Sequence, residues 1–241
     1  MPRLLAAALC LWLTAASDAS ADADEAAGSI GEPGVVVELF TSQGCVACPP
    51  ADALLGRLAK REGVIALSLH VDIWDYLGWR DPFANPDFTE RQKAYARAVG
   101  ARSIFTPQMI VAGNHRMEAL RGMEIADLVR EEAARPERVR LHIERRADML
   151  IVLAEADPPL ERDASVELVR YAPSATTEVY AGENAGRSIT SHNIVTAWDT
   201  LGQWDGNGPV TFHVRIDGAE PVVVLVQEVG HGAILAATQL R

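Results

Sequence analysis

The stretch of sequence that decides the fold covers residues 41–52 and reads TSQGCVACPPAD. It follows an apolar run over residues 35–40, which predicts a buried strand. It precedes residues 53–61, a segment of good helix formers with leucines at helical spacing. Cys45 and Cys48 therefore stand where a strand is followed by a helix.

The start of this helix is a favourable place for a reactive thiol. Pro49 and Pro50 suit the first helical turn, where a backbone N–H has no partner to lose. We therefore expect Cys45 at or beside the N-cap, more exposed than Cys48. The unpaired N–H groups and the positive end of the helix dipole favour a thiolate at that position, so the pattern indicates redox chemistry.

The N-terminus has the pattern of a secretory signal peptide. Arg3 precedes an apolar run over residues 4–16, and the small residues that follow end in an Ala-x-Ala site. The pattern predicts a signal peptide over residues 1–21, with cleavage near Ala21 or Ala23. We therefore expect a periplasmic or secreted protein.

Composition narrows the classes of partner. The formal net charge of −11 argues against nucleic acid and against anionic membrane surfaces. No stretch after the N-terminus approaches the roughly 18 apolar residues that a spanning helix needs, so we expect no stable membrane insertion.

Cysteine usage favours chemistry over structural cross-linking. Of the 3 cysteines, Cys10 lies in the predicted signal peptide, which leaves Cys45 and Cys48 in the mature chain. A bridge between these two closes a very short loop and stabilises a fold little. An inert small disulfide is the competing interpretation of the pair.

The rest of the chain predicts two units after a flexible lead-in over residues 22–33. Strand, helix and strand follow one another over residues 35–71, which is typical of a parallel βαβ unit, and we place an α/β domain at residues 34–136. Beyond it, several short strand-like runs with turn signals between them predict a β-rich, sandwich-like domain at residues 137–241.

These motifs resemble a known family. Strand, C-x-x-C, helix and strand, then Thr106-Pro107 ahead of a hairpin, are similar to the thioredoxin fold. The sequences of residues 36–52 and of residues 70–83 resemble those of a bacterial family of secreted thioredoxin-like proteins, domain of unknown function 1223 (DUF1223). The resemblance runs from about Val35 to the C-terminus and includes residues 182–187.

The resemblance gives a fold and a motif but no settled biochemistry, and the leading hypothesis, from the cysteine pair at the helix start, is an exported thiol–disulfide oxidoreductase that needs no organic cofactor. Cys45 attacks a protein or a small thiol or disulfide substrate, and Cys48 resolves the mixed disulfide. Pro107 is expected to form a cis peptide bond against the cysteines, which leaves the backbone of Thr106 free to pair with a substrate peptide. The dipeptide between the cysteines differs from that of well-studied oxidoreductases, so the redox direction stays open.

Glu38 has two interpretations. Thioredoxins carry a buried carboxylate on the equivalent strand, and by alternation Glu38 shares a face with Val36 and Phe40. A buried carboxylate beneath the cysteines can act as a base. The alternative is a glutamate at the strand edge that faces solvent.

The segment after the second strand carries further candidates. His70 is a metal ligand together with the cysteines, a proton shuttle, or a hydrogen-bonded structural histidine. Trp74 and Trp79 form either a substrate platform or part of the packing. Asp52 is expected to cap or complement the first helical turn.

Two other functions compete with the oxidoreductase. In the first, the reduced Cys45 and Cys48 bind a soft metal such as Cu(I), together with His70 or Met109. In the second, the chain is a non-catalytic interaction module whose β-rich half binds a partner. In the leading hypothesis no metal is bound.

Overall fold

The computed structural model describes residues 29–241, and both the predicted signal peptide and residues 22–28 lie outside the described residues. This part of the chain contains three α-helices and thirteen β-strands. The helices are α1 (Pro49–Leu58), α2 (Pro86–Ala98) and α3 (Gly122–Ala133). The strands are β1 (Ser29–Ile30), β2 (Glu32–Pro33), β3 (Val35–Thr41), β4 (Val64–His70), β5 (Gln108–Val111), β6 (His115–Glu118), β7 (Val139–Arg146), β8 (Met149–Ala156), β9 (Ala164–Glu178), β10 (Ser188–Trp204), β11 (Val210–Arg215), β12 (Val222–Glu228) and β13 (Ile234–Leu240).

The strands form two sheets. Nine strands lie in the order β2-β13-β12-β9-β10-β4-β3-β5-β6, and four lie in the order β1-β7-β8-β11. In the large sheet β3 is parallel to β4, whereas β5 is antiparallel to both β3 and β6. None of the helices within residues 29–241 is long and apolar enough to cross a membrane.

The predicted fold class, an α/β thioredoxin-like domain followed by a β-rich domain, is wrong. The structure is mostly β, with 44% strand and 18% helix, and a curled sheet of nine strands dominates it. The physical reason is that strands of the second half extend the sheet of the first half. β10 lies parallel to β4 with Ile194 opposite Ser68, and β13 pairs with β2. The division of the chain near residue 136 stays a prediction.

The predicted flexible lead-in over residues 22–33 lies partly within the described residues. Residues 29–33 contain the two short strands β1 and β2, which pair with β7 and β13 respectively. Between them, the backbone N–H of Gly31 donates a hydrogen bond of 3.0 Å to the carbonyl oxygen of Ile143. This segment therefore bridges the edges of the two sheets.

Three apolar clusters form the core. The first packs one face of the large sheet against α2, and the second lies between the two sheets. The third packs the other face of β3, β4 and β5 against α1 and α3. Each cluster is built from buried side chains that alternate along the strands, as a sheet covered on both faces requires.

Strand β3 separates two sets of side chains and so positions the site. Val36 and Phe40 belong to the cluster beneath α2, whereas Val37 and Leu39 belong to the cluster beneath α1. Thr41, by the same alternation, lies on the α1 side. The end of β3 therefore leads into the cysteine loop on the face that α1 covers.

Candidate functional site

Cys45 and Cys48 are joined in a disulfide at the start of α1. Their Cα atoms lie 5.4 Å apart, and the backbone N–H of Cys48 donates to the carbonyl oxygen of Cys45 at 3.2 Å. Cys48, and not Cys45, is the N-cap residue of α1. Both side chains are buried, with relative exposures of 4% for Cys45 and 0% for Cys48. Cys45 is the more exposed of the two, but only slightly.

Two segments cover the disulfide loop. A Cβ added to Gly44 would lie 3.0 Å from the Cβ of Trp74, so glycine permits this close approach. From the connection between β9 and β10, the amide of Asn184 donates hydrogen bonds of 2.9 Å to the carbonyl oxygens of Gln43 and Cys45. The second half of the chain therefore holds the cysteine loop in place.

Asn184 is a site residue that the sequence analysis missed. Its side chain is 1% exposed, and its own carbonyl oxygen accepts a hydrogen bond of 3.0 Å from Arg187. The available signal was the pair Gly182 and Gly186, which have φ angles of +72° and +80° and allow a tight loop. Those glycines indicated a turn but could not indicate what the turn contacts.

Asp52, expected only to cap or complement the first helical turn, is also part of the site. It lies four residues after Cys48, so the two side chains share one face of α1, and it is 4% exposed. Its Oδ2 accepts a hydrogen bond of 3.2 Å from the hydroxyl of Thr41. Burial raises the pKa of Asp52 to about 7, although the charge of His70 and the hydrogen bond from Thr41 act in the opposite direction. Near neutral pH this carboxyl group can therefore hold or release a proton next to Cys48.

His70 and Asp81 form a buried pair on the same side of the sheet. Nδ1 of His70 lies 2.7 Å from Oδ2 of Asp81, and the side chains are 1% and 0% exposed. The same Oδ2 accepts the backbone N–H of Gln43 at 2.8 Å, and Oδ1 accepts that of Phe83 at 2.9 Å. Asp81 thus links His70 to the loop that contains the disulfide.

The predicted substrate-side residues contact the cysteine loop or its neighbours. The Thr106–Pro107 peptide bond is cis, as expected. The indole N–H of Trp74 donates to the hydroxyl of Thr106 at 2.7 Å, and that of Trp79 donates to Oε1 of Gln43 at 3.1 Å. Because Trp74 also lies against Gly44, it connects the Thr106–Pro107 turn to the cysteine loop.

An apolar rim surrounds these residues. We use this term for Val46, Tyr76, Phe105 and Tyr180, which are 50%, 76%, 41% and 80% exposed. The ring of Tyr76 stacks on Trp74 at 6.4 Å, and that of Tyr180 meets the edge of Trp79 at 6.3 Å. Exposed apolar side chains therefore lie close to a disulfide that is itself buried.

Glu38 is not brought together with the cysteines. It is fully buried on the face that α2 covers, where Oε1 lies 2.7 Å from Nε of Arg91 and Oε2 accepts the hydroxyl of Tyr95 at 2.6 Å. The prediction of burial fits this position, whereas α1 and the side chain of Asp52 lie on the opposite face of β3. Alternation along β3 correctly predicted that Glu38 shares a face with Val36 and Phe40. Which helix covers that face depends on the tertiary structure.

A metal centre has no support in the described part of the chain. Residues 29–241 contain no group of three or more His, Cys, Asp or Glu residues that could hold a metal ion. Cys45, Cys48 and His70 thus do not form such a group, and Met109 is buried within β5, opposite Leu39 of β3.

The chain is similar to one protein family and to two solved structures. Residues 36–227 match the family described as protein of unknown function (DUF1223). The X-ray crystal structure of a protein from Agrobacterium tumefaciens is similar, with 30% sequence identity and a TM-score of 0.73; the match covers 86% of this chain and 93% of that one. HBP35 of Porphyromonas gingivalis is 13% identical with a TM-score of 0.63, over 87% of this chain and 75% of that one, and so shares the fold alone. None of the curated proteins matches the chain.

Proposed function

We propose that this chain, which belongs to the DUF1223 family of proteins of unknown function, is an exported protein that carries out thiol–disulfide exchange through Cys45 and Cys48. The observation that carries the proposal is the Cys45–Cys48 disulfide at the first turn of α1, with the buried carboxyl group of Asp52 four residues further on. A bridge over so short a loop contributes little stability, so its presence favours chemistry.

The exchange proceeds by two displacements. A substrate thiolate attacks Sγ of Cys45, the Cys45–Cys48 bond breaks, and Cys48 leaves with the electron pair as a thiolate. A second substrate thiolate then attacks the substrate sulfur of the mixed disulfide, and Cys45 leaves as a thiolate. The protein is reduced to the dithiol, and the substrate is oxidised to its disulfide. The reverse sequence oxidises a substrate dithiol.

Asp52 supports this chemistry as a proton donor and acceptor. Its pKa of about 7 means that, near neutral pH, a substantial fraction of the buried carboxyl group is protonated when Cys48 leaves as a thiolate. Because Asp52 holds this proton, departure of the Cys48 thiolate leaves one buried negative charge in place of two, which would be costly in a medium of low dielectric constant. Transfer of the proton to Sγ of Cys48 then neutralises the leaving thiolate. A general acid with a pKa near the working pH is also the most effective one.

The apolar rim supports a polypeptide as the substrate. Trp74, Trp79 and the hydroxyl of Thr106 lie within or beside this rim. Aromatic side chains bind extended or unfolded chains through large apolar contact areas with few rotatable bonds. An oxidising compartment is where a disulfide persists, so the bridge also supports export.

The test is a redox titration of the folded full chain against glutathione. The fraction of free Cys45 and Cys48 is measured by alkylation and mass spectrometry. The proposal expects a reversible midpoint of about −120 mV for an oxidant or about −270 mV for a reductant. It also expects Cys48→Ser to accumulate a mixed disulfide on Cys45, whereas Cys45→Ser does not. A folded protein whose disulfide stays intact at every glutathione ratio contradicts the proposal.

A further inference from the structure

A buried pair of titratable side chains lies behind Asp52, and the exchange steps described above do not use it. His70 and Asp81 are nearly inaccessible to solvent, and Nδ1 of His70 lies 2.7 Å from Oδ2 of Asp81. In β3 and β4, Thr41 lies directly opposite His70, and the hydroxyl of Thr41 donates to Asp52. His70 and Asp52 therefore face the same space beneath the first turn of α1.

Two polar atoms in this space have no hydrogen-bond partner within residues 29–241. They are Nε2 of His70 and Oδ1 of Asp52, and both are fully buried. Buried polar atoms are almost always paired, so two orphaned atoms in one small region require an explanation. One atom belongs to an imidazole, which can donate a proton, and the other to a carboxyl group, which can accept one.

Asp81 fixes the orientation of the imidazole. Oδ2 of Asp81 accepts the backbone N–H of Gln43, so this carboxylate is an acceptor and takes the Nδ1–H of His70. This assignment leaves Nε2 as the atom that gains or loses a proton.

We propose that His70, held by Asp81, is a positioning residue that controls the protonation of Asp52 and resupplies its proton during reduction of the Cys45–Cys48 disulfide. The inference rests on the proposed exchange function. When Cys48 leaves as a thiolate, Asp52 gives up its proton to Sγ and becomes a carboxylate. These two atoms are not hydrogen-bonded to each other in the oxidised protein, so the imidazolium of His70 first moves within hydrogen-bond distance of Asp52. It then transfers the proton on Nε2 to Oδ1 and becomes neutral. In the reverse exchange Cys48 gives its proton back to Asp52, and Asp52 returns a proton to Nε2 of His70.

The charged groups around His70 agree with this role. Asp52 faces it from α1, and Asp81 faces it from the loop after β4. Asp75 lies behind Asp81 and accepts its backbone N–H at 3.2 Å, with Arg80 at 3.9 Å from Asp75. On β10, His192 packs against Gly56, further along α1. A positive charge on His70 lowers the pKa of Asp52.

The test measures the pKa of Asp52 in the oxidised full chain by NMR of its labelled carboxyl carbon. His70→Gln removes the opposing positive charge, so the pKa of Asp52 should rise by about one unit or more. Asp81→Asn should raise the pKa of Asp52 less than His70→Gln does, because it also removes the negative charge of Asp81, which itself raises that pKa. The matched control is His192→Gln, which removes a histidine that packs on the same helix and should leave Asp52 unchanged.

A second readout connects this coupling to the exchange. The rate of reduction by dithiothreitol, corrected for its thiolate fraction, should fall as the pH rises through the pKa of Asp52. The midpoint of this fall should move upward in His70→Gln by the same amount as the NMR value. In the Asp52→Asn background, His70→Gln should no longer move the profile, whereas a merely structural histidine would have the same effect in both backgrounds.

The outcomes separate the two proposals. If no thiol reduces the disulfide, both the exchange function and the proton transfer from His70 to Asp52 are contradicted. If the disulfide exchanges with the same pH profile in His70→Gln as in the wild type, only the role of His70 is contradicted. An unchanged pKa of Asp52 in His70→Gln has the same meaning. If Asp81→Asn does not fold, His70→Gln decides the question by itself.

Discussion

The side-chain amide of Asn184 donates a hydrogen bond of 2.9 Å to the carbonyl oxygen of Cys45, across 139 positions of sequence. The same nitrogen donates to the carbonyl oxygen of Gln43 at 2.9 Å. Both acceptors belong to buried residues of the cysteine loop. The second half of the chain therefore completes the hydrogen bonding of the loop that carries the disulfide.

Replacement of Asn184 by alanine should destabilise the protein by about 1–3 kcal/mol, because two buried carbonyl oxygens lose their donor. The free energy of unfolding from urea titration measures this loss. Since the loop is then held less firmly, the disulfide should also be reduced faster by dithiothreitol.

Asn207→Ala is the matched control for Asn184. Asn207 is exposed, and within residues 29–241 it bonds only to its neighbour Asp205, so its loss should cost less than about 0.5 kcal/mol. Equal stability losses in the two variants would contradict the conclusion that the hydrogen bonds of Asn184 hold the cysteine loop in place.

The raised pKa of Asp52 predicts a stability that falls with rising pH. The folded protein holds the proton up to a pKa of about 7, whereas the unfolded chain releases it near 3.8. The contribution of this group is thus fully present below about pH 4 and is lost as the pH rises through 7. The difference corresponds to about 4 kcal/mol in the free energy of unfolding.

Asp52→Asn should remove this part of the pH dependence, since an amide does not titrate. Urea unfolding of the oxidised protein at pH 5 and pH 8 measures the difference, and the variant should gain on the wild type at the higher pH. Asp199→Asn changes an exposed carboxylate and should keep the slope of the wild type. A slope unchanged by Asp52→Asn would show that another group is responsible.

The sequence predicted those parts of the site that depend on local pattern. The apolar run before residue 41, the prolines after Cys48 and the leucines beyond them correctly predicted a strand followed by a helix. The cis bond at Pro107 was also expected, from the family resemblance. In each case, neighbouring residues or a short motif carry the information.

The parts that failed depend on contacts between distant segments. Strand β10 mixes polar and apolar side chains over 17 residues and contains Asn193 at a φ of +47°, so its pattern does not indicate a strand. Yet it joins the sheet of the second half to β4 and so decides the fold class. The burial of Asp52 likewise depends on distant segments. Helix capping was enough to explain its position in the sequence, and only the tertiary structure shows that it is buried.

The apolar rim predicts a difference between large and small substrates. Replacement of Tyr76 and Tyr180 by serine should lower the exchange rate with reduced, unfolded ribonuclease A roughly tenfold, since both rings offer contact area to an extended chain. The rate with dithiothreitol should stay the same, because a small thiol does not need the rim. Met123→Ser, which alters a side chain 86% exposed on α3, is the control. Equal losses with both substrates would instead indicate damage to the disulfide site.

Arg91 is the centre of a buried network on the face of the sheet away from the cysteines. Its guanidinium binds Glu38 at 2.7 Å, Tyr95 at 2.9 Å and Gln227 at 3.0 Å. It also lies 3.8 Å from the centroid of the Trp198 ring. The network joins α2 to strands of both halves of the chain.

Replacement of Arg91 by alanine should therefore cost about 3–5 kcal/mol, measured by urea unfolding, because Glu38 is left as an uncompensated buried charge. Adding Glu38→Gln should recover part of this loss, since the amide no longer needs a cation. Arg97→Ala removes an exposed arginine of the same helix and should cost less than about 1 kcal/mol. Glu38→Gln alone should leave the pH profile of dithiothreitol reduction unchanged, because Glu38 and Asp52 lie on opposite faces of β3. A shifted profile in that variant would restore Glu38 as the base of the exchange and displace Asp52 from that role.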